Sequence, residues 1–319
     1  MIGAVDIGGT KIAVGVVDRN GRVVSRVEAP TEAERGYALG LQKITKMLRE
    51  VLRETGAKIR GIGIGSTGML DPIRGAWTDV DFLPGWEEKN PVEDLSREFG
   101  VGAAMENDGD AGALAETYWG AAKGKSRVVY VTVGTGIGGG VILDGQLYRG
   151  VAGSHPEIGH HVMEASGPEC TCGFKGCWEA LAAGSSMEKW YAENRPVEER
   201  DVVANGQRVS AREICELARK GNEFAKRTVD REGMYLGLGL ANLIGLYVPE
   251  VIVLGGGMMQ SADLYFGKIR EVIRSGCRFV PAEKTEIVLA ALGEDANLIG
   301  AAMAWQHRYV CAEGFAGLE

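Results

Sequence analysis

The chain has 319 residues, enough for two domains of ordinary size, and its 45% hydrophobic and 24% charged residues are those of a soluble globular protein. A formal net charge of -8 offers no basic excess to neutralise a phosphate backbone, which argues against nucleic acid as the main partner. No apolar run approaches the roughly 18 residues that span a bilayer, the chain opens without the basic start of a secretory signal, and a reducing cytoplasm is the expected compartment.

An apolar strand is predicted over 2–6 and ends at Asp6. Gly8, Gly9, Thr10 and Lys11 follow, then strands over 12–17 and 23–28 across an Asn20-Gly21 turn. The first turn is all small or polar, so its backbone N–H groups can face phosphate oxygens, with the Thr10 hydroxyl and Lys11 ammonium beside them. An ordinary hairpin is the other reading, and the turn is not a G-x-x-x-x-G-K-[ST] loop opening a helix. Leu41, Ile44, Leu48, Val51 and Leu52 fall on one face of a helix predicted over 37–54, with Gly56 at its end. A strand over 59–64, a loop over 65–72 and a helix between Pro91 and Gly100 come next. Gly63, Gly65 and Gly68 match G-x-G-x-x-G, but Pro72 and the lack of a following helix pattern argue against dinucleotide binding. A strand over 101–105 delivers Glu106, Asn107 and Asp108 at its C-terminal end, where open α/β sheets bind ligands. A helix is predicted over 110–122.

A strand over 128–133 enters a second Gly-rich turn at 134–140, then a strand over 141–143 and an Asp144-Gly145 turn. The G-x-G-x-x-G match at 134, 136 and 139 again leads into a strand, not a helix. Residues 2–24 and 128–148 share one plan: strand, Gly-Thr turn, strand, tight turn, strand. Such a duplication predicts two similar α/β domains facing each other, with two phosphate-grade turns that clamp one polyphosphate.

The stretch 153–179 concentrates His155, His160, His161, Cys170, Cys172 and Cys177 between Glu157 and Glu179. Cysteines spaced C-x-C-x4-C, with Gly173 and Gly176 to wrap the loop, suit a tetrahedral Cys3His zinc site in which His160 is the nearest suitable imidazole. Inert thiols or disulfides are the other reading, which the close spacing in a non-secreted chain disfavours. Cys215, Cys277 and Cys311 read as small core residues. Helices are predicted over 178–191, from a Ser210–Glu213 capping box to about 220, and over 222–246. A strand over 250–254 runs into Gly255, Gly256 and Gly257, which admit a flat ligand or simply join strand to helix. A helix over 262–275, a strand over 286–290, a helix over 297–309 and a loose tail over 311–319 complete the chain.

The segments DIGGTK (6–11), END (106–108), TVGTGIGGG (132–140), EIGH (157–160), CTCGFKGCWE (170–179) and LGGG (254–257) resemble the ROK family of repressors, open reading frames and sugar kinases, in order and spacing over nearly the whole chain. Among its members the glucokinases are most similar. The resemblance implies an actin-like, hexokinase-like α/β fold, a duplicated ribonuclease H-like architecture with two domains around a cleft. A small domain would span 1–117, with a C-terminal helix at about 297–319 packing back on it. A large domain over 118–296 would carry the zinc loop and a dimerisation surface. The implied activity is ATP-dependent phosphorylation of a hexose hydroxyl, glucose first, with Mg2+ and a structural Zn2+.

Residue by residue, the resemblance makes Asp108 the general base and Asn107, Asp108, Glu157, His160, Glu179 and the Gly68 loop the sugar contacts. It places nucleotide at Gly8, Gly9, Thr10, Lys11, Thr132, Gly134, Thr135, Gly136, Gly255, Gly256 and Gly257, with Asp6 orienting Mg2+ through water. It gives zinc to His160, Cys170, Cys172 and Cys177. A homodimer or dimer of dimers is implied. Four departures leave an N-acylhexosamine, mannose or fructose open as the sugar: Asp110 where Asn is common, Gly65-Ser66-Thr67-Gly68 where Gly-x-Pro-Gly is common, Phe82 before Leu83-Pro84-Gly85-Trp86 where Asn is common, and His155-Pro156 before Glu157. Repressor members carry a helix-turn-helix before the first strand, which this sequence does not show, so a sugar-sensing regulator is the disfavoured reading.

Overall fold

The computed structural model describes residues 1–80, 83–196 and 209–310. Phe82 and the tail at 311–319 lie outside the described residues. The chain opens with β1 (Ile2–Ile7), β2 (Lys11–Val17) and β3 (Val23–Pro30), then α1 (Tyr37–Thr55), β4 (Gly61–Ser66), β5 (Met69–Asp71), β6 (Ala76–Asp79), α2 (Pro91–Phe99), β7 (Gly102–Asn107) and α3 (Asp108–Tyr118). It continues with β8 (Val128–Val133), β9 (Ile137–Leu143), β10 (Gln146–Leu147), α4 (Trp178–Ala182), α5 (Gly184–Asn194), α6 (Ala211–Arg219) and α7 (Glu223–Tyr247). The last elements are β11 (Val251–Gly255), α8 (Ala262–Gly276), β12 (Glu286–Leu289) and α9 (Ala296–Tyr309). Among the described residues no helix is long and apolar enough to cross a membrane.

The two large sheets have one topology. The first runs β3-β2-β1-β4-β7 and the second β10-β9-β8-β11-β12, an antiparallel meander extended by parallel strands in each case. The duplicated meander expected from the sequence is therefore the framework of the fold. By internal packing the chain divides into a first unit of Met1–Ser126, Gly140–Pro156 and Ala290–Glu319, and a second of Arg127–Gly139 and Glu157–Leu289.

In the first unit, β2 is buried from Ile12 to Val17 because its sheet is covered on both faces. Ile44, Met47, Leu48 and Val51 of α1 pack against Val14, Val16 and Ile62, and the apolar stripe of α1 is what predicts this face. On the other face Leu298, Ala301 and Ala302 of α9 meet Ala4, Ala13 and Val17. Gly63 permits that approach: a Cβ there would lie 1.7 Å from the Ala301 carbonyl oxygen. Tyr37, Trp77 and Trp86 meet edge to face at centroid distances of 5.3 to 6.2 Å. In the second unit, α7 packs along α8, with Gly233 and Gly237 against Lys268 and Val272, and Gly239 lies over the Trp178 ring.

Four elements depart from the sequence expectation. Residues 65–72 are not all loop: β4 runs on to Ser66, and Met69–Asp71 pairs with Ala76–Asp79 across a turn in which the Asp71 carboxylate accepts from the Ile73 and Arg74 N–H groups. α3 begins at Asp108, so strand and helix join with no loop between them. Gly138, Gly139 and Gly140 belong to β9, leaving a turn of only 134–136. The helix expected over 178–191 breaks at Ala183, which is extended (φ -80°, ψ 160°), because the Gly184 N–H turns to the Gly134 carbonyl at 2.8 Å.

Candidate active site

In the first unit, Asn107 ends β7 and caps α3. Its Oδ1 accepts the Gly109 N–H at 2.8 Å, and Asp108 Oδ1 accepts the same N–H at 2.8 Å. Asn107 is buried, whereas Asp108 is exposed. A carboxylate on the first residue of a helix lies in the positive field of its N-terminus. Asp6 stands at the end of β1, where the Asn297 side-chain amide donates to its Oδ2 at 3.1 Å. Burial pushes Asp6 up to about 6, the Asn297 hydrogen bond opposes that, and the charge of Asp108 adds to it. Asp6 and Asp108 thus share one neighbourhood, and a bound cation would keep the half-buried Asp6 carboxyl ionised.

The turn at 8–10 is tight. Gly8 donates to the Lys11 carbonyl at 2.9 Å, and the Thr31 hydroxyl donates to the Gly8 carbonyl at 2.7 Å, while Gly9 and Thr10 are exposed. The Lys11 ammonium is paired with Glu28 across the hairpin at 2.9 Å. Gly68 has φ +88° in the short connection between β4 and β5, against Val80.

In the second unit the Gly134-Thr135-Gly136 turn closes on itself, the Gly134 N–H donating to the Gly136 carbonyl at 2.9 Å. The Ser185 hydroxyl donates to the Thr135 carbonyl at 2.6 Å, so the start of α5 is tied to the turn. Glu179, on α4, accepts the Ile137 N–H at Oε2 (2.8 Å), directly beside Gly136. A cavity of about 540 Å³ opens here, lined by Gly134 and Thr135, the first residues of α5 and α6, Arg219 and Gly257. Its volume falls in the range of small-molecule sites. Thr132, inside β8, is half-buried and does not line it.

Of the three glycines at 255–257, only Gly257 faces this cavity. Gly255 ends β11, where a Cβ would meet the Tyr130 hydroxyl at 2.6 Å. Gly256 has φ +90°, and a Cβ there would lie 2.4 to 2.7 Å from the Val133 backbone. Those two glycines serve the close packing of β11 on β8.

The metal-type cluster also lies in the second unit. One donor atom from each of His160, Cys170, Cys172 and Cys177 lies within 4.8 Å of all the others. Cys170 Sγ is 3.4 Å from His160 Nδ1, and the Cys172 and Cys177 sulfurs are 3.5 Å apart. Ligand atoms around a tetrahedral zinc with bonds of roughly 2.0–2.3 Å are separated by roughly 3.5–3.8 Å, so the donor set and its spacing fit. All five described cysteines are free thiols. The Phe174 backbone holds the Cys172 thiol low, at about 7, towards the thiolate that binds metal, while burial pushes Cys177 up. Gly176 makes the wrap possible: it has φ +67°, and a Cβ would lie 1.7 Å from the Glu164 carbonyl oxygen. His160 presents its other nitrogen, Nε2, towards Glu157 Oε2 at 4.0 Å. His161 takes no part; its Nδ1 lies 2.6 Å from the Ile158 carbonyl and its ring packs on Trp178.

Sequence reasoning missed two charged groups in the first unit, the buried Glu116 and the half-buried Arg149. Glu116, on α3, accepts from the N–H groups of Ala121 (2.7 Å), Ala291 (3.0 Å) and Leu292 (3.1 Å). Arg149 pairs with the buried Glu106 of β7. Neither belongs to a motif, and a lone acid or base in a helix or loop reads as solvated surface. It also missed the part α5 and α6 play in the cavity, which the Ala183-Gly184 pair after Glu179 could have signalled.

A model of the ROK family matches residues 2–308. The glucokinase of Thermotoga maritima is 32% identical over 302 residues, 93% of this chain and 95% of its own. The xylose repressor of Bacillus spizizenii is 31% identical over 75% of this chain but only 59% of its own length. Among solved structures, the ROK hexokinase of Thermus thermophilus superposes with a TM-score of 0.83 at 36% identity, covering 98% of this chain and 99% of that one. A ROK family glucokinase from Streptomyces griseus in complex with glucose and AMPPNP gives a TM-score of 0.80 at 30% identity, covering 96% and 99%.

Proposed function

The chain belongs to the ROK family, and on that premise we propose that it is a sugar kinase that transfers the γ-phosphoryl group of ATP to a hexose hydroxyl, with glucose as the first candidate. The carrying observation is the β7–α3 junction. It presents Asp108 as an exposed carboxylate at a helix start, anchored to the Gly109 N–H and close to Asp6.

A sugar hydroxyl is a weak nucleophile, and phosphoryl transfer passes through a loose in-line transition state. In this reading Asp108 accepts the hydroxyl proton late in transfer, a role that typically contributes roughly 10²–10⁴-fold. Asn107, Glu157, His160 and Glu179 hold the sugar, and the Gly68 connection passes beside it. The turns at 8–11 and 134–136 take phosphates, and the cavity lined by Thr135 and Gly257 takes the nucleoside. Mg2+ bound near Asp6 would neutralise phosphate charge.

Zinc on His160, Cys170, Cys172 and Cys177 is structural in this account, a closed four-ligand site that fixes the loop after Glu157. Through the His160 ring it also fixes the nitrogen turned towards Glu157. Mannose, fructose or an N-acylhexosamine remains the alternative substrate, and a homodimer or dimer of dimers is proposed for the assembly. A coupled ADP-release assay over a hexose panel tests the reading. Sugar-dependent ADP formation, greatest with glucose, is the expected outcome, and no stimulation by any sugar overturns it.

A further inference from the structure

We propose that Arg149 is a positioning residue for Asp108 and acts through Glu106, an inference that rests on the kinase reading above. Glu106 lies two residues before Asp108 on β7 and is only 3% exposed. Its Oε1 accepts from the Arg149 guanidinium, and its Oε2 is buried without a hydrogen-bond partner among the described residues. Asp110, in the first turn of α3 and 1% exposed, also has a buried Oδ1 without a hydrogen-bond partner among the described residues. Two buried carboxyls, each with an oxygen lacking a hydrogen-bond partner among the described residues, therefore flank Asp108 at the strand–helix junction.

Burial pushes both carboxyls above the usual range; the charge of Glu106 then raises Asp110 further, to about 8, while Arg149 opposes the shift in both. The other charged or titratable groups around the pair are Asp108 of α3, His155, and Arg308 of α9, with His307 beside Arg149. The Arg308 guanidinium is engaged elsewhere, donating to the Pro72 and Ile73 carbonyls at 3.1 and 3.3 Å. Arg149 is therefore the cation that Glu106 bonds.

Removing Arg149 from this part-buried ion pair leaves the Glu106 carboxylate uncompensated, and the junction must shift, admit water or take up a proton to relieve it. Asn107 and Asp108 share one anchor, the Gly109 N–H, so a shift at Glu106 moves the Asp108 carboxylate. A displacement of about 1 Å in a catalytic group can cost on the order of 10²-fold in rate. The effect belongs in kcat, because the sugar and nucleotide contacts proposed above do not include Arg149 or Glu106.

The test is steady-state kinetics on the best hexose of the panel with Arg149→Met, Glu106→Gln and the Glu106→Gln/Arg149→Met double variant, each checked by circular dichroism and thermal melting. Arg149→Met should lower kcat at least about tenfold with KM for hexose and ATP within about threefold of wild type. The double variant, which removes the charge as well as its partner, should return to within about threefold of wild-type kcat. Unchanged kcat in Arg149→Met, a loss confined to hexose KM, or a double variant no better than the single overturns the proposal. Should Arg149→Met fail to fold, the double variant decides: folded with near-wild-type kcat supports the inference, while folded and slow, or unfolded, overturns it. A wild-type protein that turns over no hexose defeats the kinase reading itself, an outcome visible before any variant is made.

Discussion

Replacing Gly136 by alanine puts a methyl group where the Glu179 carboxylate lies. A Cβ on Gly136 would meet Glu179 Oε2 at 2.3 Å and its Cδ at 3.2 Å. Gly136 is not among the glycines with positive φ, so its backbone accepts alanine and the whole penalty falls on Glu179. That carboxylate accepts the Ile137 N–H at 2.8 Å, and hydrogen bonds to charged groups are worth about 1.5–3 kcal/mol. Gly136→Ala should therefore lower the unfolding free energy by about 2 kcal/mol in a urea titration. If Glu179 holds a sugar hydroxyl, KM for the sugar should rise at least about tenfold, since about 1.4 kcal/mol is one decade. The decisive comparison is the same substitution in a Glu179→Ala background, where the obstacle is gone and the added cost should fall below about 0.5 kcal/mol. Equal costs in the two backgrounds would refute the reasoning.

If zinc occupies the Cys3His cluster as proposed, Cys172→Ser should lose it, measured by inductively coupled plasma mass spectrometry, and raise KM for the hexose by about tenfold or more, because His160 would lose the metal that orients it. Loss of zinc with an unchanged KM would break that coupling. Glu232 is fully buried on α7, both carboxylate oxygens lack a hydrogen-bond partner among the described residues, and burial pushes it from 4.5 up to about 8. The folded state then holds a proton that the unfolded chain releases, so stability falls as pH climbs from about 4.5 to about 8 and levels off above. One such group contributes a slope of up to about 1.4 kcal/mol per pH unit. Glu232→Gln should flatten this curve and stabilise the protein at pH above about 8; an unchanged slope contradicts the assignment.

The meander duplication was legible because hydrophobic runs, Gly-Thr turns and Asn-Gly or Asp-Gly signals are local and repeat in order. The Ser210–Glu213 capping box forms as its spacing predicts, with Glu213 Oε2 accepting the Ser210 N–H at 2.8 Å. The Cys3His cluster was legible for the same reason, since its ligands lie within eighteen residues of sequence. What the sequence hides is non-local. The break at Ala183 is decided by a hydrogen bond to Gly134, fifty residues away, which no helix propensity reports. Gly255 and Gly256 read as ligand-approach glycines, and their close packing against Tyr130 and Val133 on the neighbouring strand cannot be read from the sequence. The inclusion of 140–156 in the first unit has no compositional mark, and with it the Arg149–Glu106 pair stays invisible until the chain is folded.

The claim on which the account turns is that Asp108 takes the proton from a sugar hydroxyl as phosphate transfers. It is tested most directly by hexose-dependent ADP release in the wild type and in Asp108→Asn, with thermal melts alongside. The account predicts a fall of roughly 10²–10⁴-fold in kcat with the melting temperature retained. Turnover in Asp108→Asn equal to that of the wild type would contradict it.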